Sequence, residues 1–480
     1  MRAFFCLSAV AGAIALAGCT VGPDYQRPDL GLPNTFVNQK AVTERTAAHA
    51  PSLDTWWNGF DDPKLNELIQ RALAQNLDLA QAQGRVVQSK ASLQWATAAL
   101  LPSGDVSAQG AQARFSIDTP EGQLLNASPG FDRNGGLYEV DLNASWEIDV
   151  FGGLRRAREA KQAEYQAASA GVVAVRLAVA SSTADSYVAI RGLQTRLSIA
   201  KQQLDTQKQL VATVQLQNSR GIAADLRLNQ AKGAFAQVAA TIPVLESSLE
   251  SACNALDVLL GEQPGTSRTE LSQDASIPAA PAIGDAGGPA DLIRRRPDLI
   301  VAERKLAAAN AGIGAAVSEY YPKFSLSGLV GSATTVATSS FSSGAIQTEG
   351  VLGLRWRLFD FGRVDAEIKA ARGHDAEALS VYRLSVLRAS EDVEDAFTQL
   401  VKSEEEQNAL AQGVTSLTLA RDQSLLAYKG GVVSLIEVLD ADSRLLSTRD
   451  AEAQARTAAA KAAIASFRAL GGGWDPVSQG

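Results

Sequence analysis

Residues that could carry out catalysis or bind a metal are few in this sequence of 480 residues. It contains 2 histidines and 3 cysteines, which leaves little for a zinc site or a histidine-based triad. Neither a glycine-rich phosphate loop nor a GxSxG motif is present. The acidic run from Glu391 to Asp395 could suggest a metal cluster, but Val393 at its centre belongs to a helical apolar seam, which favours a solvated stripe. We expect no enzymatic activity, no metal site and no dissociable cofactor.

The strongest chemical signal is Cys19, at the end of a secretory signal. Met1 and Arg2 give a positive start, residues 3–15 are apolar, and residues 16–19 (Leu-Ala-Gly-Cys) resemble a bacterial lipobox. That resemblance implies removal of residues 1–18 and a covalent lipid on Cys19. Thr20 stands where an aspartate would retain a lipoprotein in the inner membrane, which favours the outer membrane. The alternative is an ordinary signal peptide with a chance cysteine.

The bulk composition is acidic and near neutral in hydropathy. Lys and Arg number 44 against 52 Asp and Glu, a net charge of −8, which argues against a nucleic-acid partner. After residue 20 we find no run approaching the ~18 apolar residues of a membrane-spanning helix. The composition alone therefore predicts no transmembrane helix.

The sequence contains an internal repeat. Residues 76–80 recur as 296–300 and residues 100–102 as 320–322, at an offset of 220; Trp146 recurs as Trp356, and residues 151–152 as 361–362, at an offset of 210. Such repetition indicates two copies of one structural unit. The predicted division is a signal peptide, an N-terminal segment, a first repeat, a linker, a second repeat and a tail, at residues 1–18, 19–62, 63–262, 263–289, 290–470 and 471–480.

Each repeat contains a predicted β-hairpin, at about residues 103–150 and 323–360. Residues 137–150 alternate between apolar and polar side chains, which predicts a strand with one apolar and one wet face. The acidic and basic residues of the wet faces are Glu139, Asp141, Glu147, Asp149, Arg355 and Arg357. Such strands occur in soluble sheets and in membrane barrels. Because the smallest single-chain barrels have about eight strands, four strands would need further copies to close.

Long helices separate the hairpins. Residues 153–218 and 363–428 lack proline, and each would extend for roughly 100 Å. Apolar residues from Ile190 to Val214 recur at spacings of three and four, as in a coiled-coil seam. Gln207 interrupts this seam, either as a specificity device or as a tolerated polar residue. Shorter helices are predicted near residues 75–101 and 223–261.

Together these features resemble the TolC-like outer membrane factors, in particular the NodT-type efflux lipoproteins of resistance-nodulation-division (RND) pumps. Residues 19–28 (CTVGPDYQRP), 54–57 (DTWW) and 60–63 (FDDP) carry the resemblance. It implies a mainly α fold with membrane β: a homotrimer with a 12-stranded β-barrel, four strands from each chain, above a long α-helical barrel. The wet-face residues would then face the lumen.

The resemblance also implies a periplasmic gate in residues 428–441. Its residues would be Tyr428, the turn residue Gly431, and Glu437 and Asp440, which lie three apart on one helical face. In a trimer, Asp440 would form a ring of three carboxylates that binds cations. Val433 stands where relatives often carry an arginine, so a latch of that kind is not expected here. The alternative for both carboxylates is a solvated outer face.

A second surface is the tip that docks the periplasmic adaptor, or membrane fusion, protein. The resemblance assigns to it Arg220, Gly221, Asp225 and Gly430, although Arg220 and Asp225 could simply be solvated. The implied function is a passive exit duct, lipid-anchored in the cell outer membrane, extending into the periplasm and opened by the adaptor and an inner-membrane RND-type pump. A structural coiled-coil lipoprotein and the exit duct of a type I protein secretion system are the alternatives. The sequence does not specify the cargo.

Overall fold

The structure, a computed structural model, describes residues 20–45, 50–273, 275–284 and 287–475, so Cys19 lies outside the described residues. Short 3-10 segments cover Leu53–Phe60 and Ala337–Ser339. The helices are α1 (Gln39–Thr43), α2 (Pro63–Gln75), α3 (Leu77–Ala98), α4 (Pro120–Asn126), α5 (Gly153–Ser219), α6 (Asp225–Leu259), α7 (Thr266–Glu270), α8 (Pro289–Arg295), α9 (Pro297–Ser318), α10 (Arg363–Lys429) and α11 (Leu435–Ala469). The strands are β1 (Ser103–Arg114), β2 (Asn134–Ile148), β3 (Lys323–Thr334) and β4 (Ile346–Arg355).

The chain forms two compact units, each built from segments of both sequence repeats. The sheet unit contains residues 20–28, 87–167 and 303–381. The helical unit contains the described residues of 29–86, 168–302 and 382–475.

Within the sheet unit, the four strands form one antiparallel sheet in the order β1-β2-β3-β4. Strands β1 and β4 are its edges. The face that carries Val106, Leu142 and Leu354 is apolar yet exposed, with these side chains 57–69% accessible. The opposite face carries Glu139 and Asp141. The predicted two-faced hairpins are therefore confirmed.

The strands end sooner than the alternation of the sequence predicts. Strand β2 ends at Ile148 and β4 at Arg355, so Asp149 and Arg357 are not strand residues. The strands end early because the next helix begins a few residues later. Asp149 accepts hydrogen bonds from the backbone N–H groups of Leu154 and Arg155, at 3.1 and 2.8 Å, and so caps α5.

The helices repeat in length as the sequence repeats. Helices α5 and α10 have 67 residues each, α6 and α11 have 35 each, and α3 and α9 have 22 each. The predicted seam is partly buried in the helical unit: Ile190, Ala200, Gln207 and Val214 are buried, and Leu193, Leu197, Leu204 and Val211 are partly exposed. Long heptad helices form because these spacings place one apolar stripe along each helix.

One helix bears on the expectation that no transmembrane helix is present. Among the described helices, α5 contains an 18-residue window apolar enough to cross a membrane, and 44% of that window is buried within the protein. Core helices also pass such a test of length and composition. Ala180, Ala184 and Val188 of the same helix are buried within the protein.

Candidate functional site

The helical unit contains two turns of the same geometry, one between α5 and α6 and one between α10 and α11. Gly221 and Gly431 adopt left-handed φ angles of 73° and 75°, which favour glycine. The N–H groups of Ile222 and Val432 close the two turns at 2.8 and 2.9 Å. Gly430 has no left-handed φ, so the turn requires glycine only at Gly431 in the second repeat.

A shared apolar cluster packs these turns together. Its members come from all four helices that the two turns connect, or from the turns themselves. The buried residues are Leu210, Val214, Ala223, Ala231, Leu435 and Val438, with Tyr428 packed against them. The Tyr428 hydroxyl also donates a 3.1 Å hydrogen bond to Oε1 of Gln217. Tyr428 thus joins the last turns of α10 and α5 within one chain, and its place in a gate stays a prediction.

The two predicted gate carboxylates lie on the surface of α11. Glu437 accepts a 3.4 Å contact from the backbone N–H of Ser434 in a capping box that starts the helix. Asp440 is 56% exposed and pairs with Arg444 at 2.9 Å. Each carboxylate therefore has a local role within one chain. A ring of Asp440 side chains depends on further copies and stays a prediction.

Of the predicted docking residues, Arg220, Gly221 and Asp225 lie in or next to the first turn, and Gly430 lies in the second. Asp225 opens α6 and its Oδ1 accepts a 2.9 Å hydrogen bond from Nδ2 of Asn218. At the N-terminus of a helix, the positive end of the helix dipole also stabilises a carboxylate. Arg220 is exposed and occupies the place that Gly430 holds in the other turn. Their contact with an adaptor protein stays a prediction.

A buried ionic network above the second turn was not predicted. The Asp442 side chain is 2% exposed; Oδ1 accepts from Nε of Arg421 at 3.0 Å and Oδ2 from Nε2 of Gln207 at 3.3 Å. These three residues link α11, α10 and α5. Gln207, the polar residue of the predicted seam, is thus hydrogen-bonded to Asp442. The sequence does hold a signal: Asp442 occupies a core position in the buried series Leu435, Val438, Asp442 and Leu445.

On the polar face of the sheet, one amide bridges two acids on a strand that is not its neighbour. Nε2 of Gln347 donates to Oε1 of Glu139 at 3.1 Å and to Oδ1 of Asp141 at 2.8 Å. Gln347 and Asp141 both pair with Gly331 on β3, which lies between them. Because Gly331 has no side chain, the amide can reach across β3. Glu139 and Asp141 thus share one face, as predicted.

The other wet-face residues are divided between the sheet and its ends. Glu147 pairs with Ser325 and Arg355 with Lys323, so both lie on the polar face. Arg357 lies beyond β4 and contacts Glu319 at 3.1 Å. The six predicted residues therefore do not form one set on the strands.

The N-terminal segment is attached to the end of the sheet unit where β2 meets α5. The backbone N–H of Val21 donates to the carbonyl of Phe151 at 3.1 Å, and Arg156 pairs with Asp24 at 2.7 Å. Gly152 has a left-handed φ of 80°, and a Cβ there would lie 2.9 Å from the Cα of Thr20. Residue 20, next to Cys19, therefore lies at an end of the sheet.

A buried carboxylate holds the next part of this segment. Glu303 is 1% exposed and accepts from the Tyr25 hydroxyl at 3.2 Å, from Nε of Arg27 at 3.0 Å and from Arg304 at 2.6 Å. Burial alone would raise the pKa of Glu303, but hydrogen bonds and charges from Arg27 and Arg304 lower it below its usual value. The carboxylate is therefore ionised and binds the segment electrostatically at neutral pH.

Gly152→Ala is expected to detach the first described residues, because its new methyl group would overlap Thr20. Gly362→Ala is the matched control: it has a similar φ of 85° but no atom within 4 Å of a Cβ. Both variants incur a backbone cost of about 1 kcal/mol. Hydrogen exchange of peptides covering residues 20–28 should accelerate about tenfold, corresponding to ~1.4 kcal/mol, in Gly152→Ala alone. Equal acceleration in both variants would contradict this steric explanation.

Comparisons with known proteins agree with this geometry. The family model described as outer membrane efflux protein matches residues 68–262 and 288–472. Nodulation protein T of Rhizobium leguminosarum bv. trifolii is 29% identical over 481 residues, covering 97% of each chain. The cation efflux system protein CusC of Escherichia coli O6:H1 is 29% identical over 472 residues, covering 96% of this chain and 97% of CusC.

Solved structures give the same result. The outer-membrane channel OprN aligns with a TM-score of 0.85 and 31% identity, covering 95% of this chain and 100% of OprN. The predicted TolC-like fold, efflux function and outer membrane location are confirmed. The chain belongs to the outer membrane efflux protein family.

Proposed function

We propose that this protein is a lipid-anchored homotrimeric exit duct of a tripartite efflux system, working with a periplasmic adaptor and an inner-membrane RND-type pump. The observation that carries the proposal is the sheet. It has one exposed apolar face, one polar face that carries charges of both signs, and two edges that pair with no other strand of the described chain. An apolar outside and a polar lumen are the pattern of a membrane barrel, and four strands cannot close one without further copies. The duct would pass its cargo without catalysis.

The lipid would be attached to Cys19, next to the first described residue. Thr20 and Val21 contact the sheet unit at Gly152 and Phe151, directly after β2. An acyl chain at residue 19 would therefore enter the bilayer beside the strands, where the exposed apolar face also requires lipid. This placement supports a covalent lipid on Cys19.

The adaptor would dock on the paired turns, and the gate would lie in the same region. The turns at Gly221 and Gly431 have equal geometry and share one apolar cluster, so a force on either turn reaches the other through packed side chains. A structural coiled-coil lipoprotein would not require this sheet. One relative is named for nodulation and another for cation efflux, so their names do not indicate a common cargo and we propose none.

The gate is tested by single-channel conductance in planar bilayers. Replacing both Glu437 and Asp440 by Ala should raise the concentration of Mg²⁺ needed for block at least about tenfold, because the ring loses its charge. The matched control is Glu405→Ala, which removes an exposed acid paired with Lys402 within α10.

Two results would count against these proposals. Unchanged Mg²⁺ block in the double variant would remove the two carboxylates from the gate. A wild-type protein that is monomeric and extractable without detergent would contradict the exit duct itself, whereas heat-modifiable trimers in detergent would support it.

A further inference from the structure

Three helices of the helical unit border a partly open cavity of about 520 Å³. Its walls come from residues 196–207 of α5, 234–245 of α6 and 439–450 of α11. The volume lies within the ~300–1,000 Å³ that is usual for small-molecule sites. Gln207 in its wall also belongs to the buried network of Asp442, so the cavity adjoins the junction of these helices.

The walls are apolar, and the charges among the described lining residues are paired. Ala200, Val238 and Leu245 are only 4–8% exposed. The two charged lining residues, Arg196 and Asp450, bind each other through two hydrogen bonds of 2.6 and 3.1 Å. Because these charges satisfy each other and burying an unpaired charge is costly, the cavity favours an uncharged ligand.

Two buried polar atoms of the wall have no hydrogen-bond partner within the described chain. They are Nε2 of Gln203 and Oε1 of Gln207, on side chains that are 8% and 3% exposed. The two residues are four apart and therefore share one face of α5. Buried polar groups in native proteins are nearly always bonded, so this pair indicates a group that the cavity is built to receive.

The network of Asp442 determines which atom of Gln207 is free. An ionised carboxylate only accepts hydrogen bonds, and Asp442 already accepts from Nε2 of Gln207 at 3.3 Å. The free atom of Gln207 is therefore an acceptor. Gln203 supplies a donor, and the terminal torsion of a glutamine is soft, so its amide can turn toward a ligand. The group that satisfies both residues accepts one hydrogen bond and donates another.

The second repeat shows that packing of the long helix does not require these glutamines. By the offset of 210, Gln203 corresponds to Gly413 and Gln207 to Leu417 on α10. Helices α5 and α10 have the same length, so the helix forms with either pair. The polar pair thus belongs to the cavity of the first repeat.

Helix α6 also departs from its counterpart beside the cavity. Pro243 lies inside α6, and proline has no N–H to donate to the carbonyl of Ala239. The equivalent residue of α11 is Ala453. Thr241 and Val244, which line the cavity, flank the proline. The cavity therefore borders a helix segment that lacks one of its own hydrogen bonds.

We propose that this cavity binds a small uncharged amphiphile with an apolar body and a primary amide or hydroxyl as its head. The body packs against the aliphatic walls, and the head accepts from Gln203 and donates to Gln207. Because the ligand contacts α5, α6 and α11 together, it stabilises their junction. The site goes beyond the exit duct and does not depend on it.

Photolabelling of the full-length protein in lipid nanodiscs tests the site. The probe is decanamide with a diazirine in its alkyl chain, and labelled peptides are identified by mass spectrometry. Labelling of residues 234–245 and 439–450 should saturate, and unmodified decanamide should compete. Decanoate has the same chain but a charged head. It should compete at least about tenfold less well, because the cavity has no free partner for its charge.

Three variants locate the ligand. Gln203→Leu removes the donor and should raise the decanamide concentration for half-maximal competition at least about tenfold. The matched control is Gln202→Leu, which replaces the adjacent exposed glutamine and should change this concentration less than about twofold. Ala240→Phe fills the cavity from an exposed lining position and should abolish the labelling.

Saturable labelling that Gln203→Leu weakens and Ala240→Phe abolishes would support the site. Labelling that does not saturate, or that is equal in the wild type and Ala240→Phe, would show only partition into lipid and overturn it. Equal competition in the wild type and Gln203→Leu would overturn the polar bridge. An unlabelled wild type, as when a neighbouring copy fills the cavity, would overturn the site as well. None of these results depends on trimer formation or conductance, so the exit duct is tested separately.

Discussion

Asp442→Ala should lower the unfolding free energy by about 3 kcal/mol, because it leaves Arg421 largely buried and without its deepest partner. Arg421 is 23% exposed and retains the surface residue Asp422 at 2.9 Å, so the loss should fall at the low end for a broken buried pair. Gln207 loses its acceptor as well. The junction of α5, α10 and α11 would loosen next to the turns of the proposed gate.

The measurement is thermal unfolding of the purified trimer by far-UV circular dichroism, with hydrogen exchange of residues 421–445 as the local readout. Asp440→Ala is the control on the same helix: it breaks an exposed pair with Arg444, which is worth about 0.5 kcal/mol. Exchange should accelerate strongly only in Asp442→Ala. Equal effects in the two variants would show that the buried network does not stabilise this junction.

Gly331→Ala should prevent most chains from forming heat-resistant trimers. A Cβ at residue 331 would lie 2.5 Å from the carbonyl oxygen of Val140 and 2.8 Å from the Cα of Asp141. Backbone atoms of a paired strand cannot move away cheaply, so β2 and β3 would separate locally. The bridge from Gln347 across the glycine would also be lost.

The control is Gly328→Ala on the same strand, where the nearest atom to a Cβ is the carbonyl oxygen of Glu349 at 3.4 Å. The trimer yield on unheated gels should fall at least about tenfold in Gly331→Ala, corresponding to an overpacking cost of ~1.4 kcal/mol or more, and stay within about twofold in Gly328→Ala. A yield that is equally high in both variants would show that β3 can shift to accept the methyl group.

Much of the fold follows from periodicity. The alternation in residues 137–150 predicts both faces of β2, and the absence of proline predicts two helices that the structure extends to 67 residues each. Strand ends are less predictable, since alternation continues in the sequence after the ladder has stopped. Asp149 has the right side chain for the strand, but the start of α5 uses it as a cap.

The candidate site is predictable only where local rules act. Turn geometry identifies Gly221 and Gly431, because a left-handed backbone favours glycine. Asp442 was missed because its significance depends on Gln207, 235 residues away in sequence. The residue type alone does not reveal whether a carboxylate faces water or a buried arginine. The spacing of the surrounding core residues is the signal that indicates burial.

The attachment of the N-terminal segment constrains the order in which the chain folds. Asp24 contacts Arg156 across 132 residues, and Asn38 contacts Glu394 across 356 residues. Closing such long loops carries a large entropic cost, and contacts of this range slow folding. The residues synthesised early must therefore wait for partners from the second repeat. The N-terminal segment can therefore be fully bound only after both repeats have been synthesised and folded.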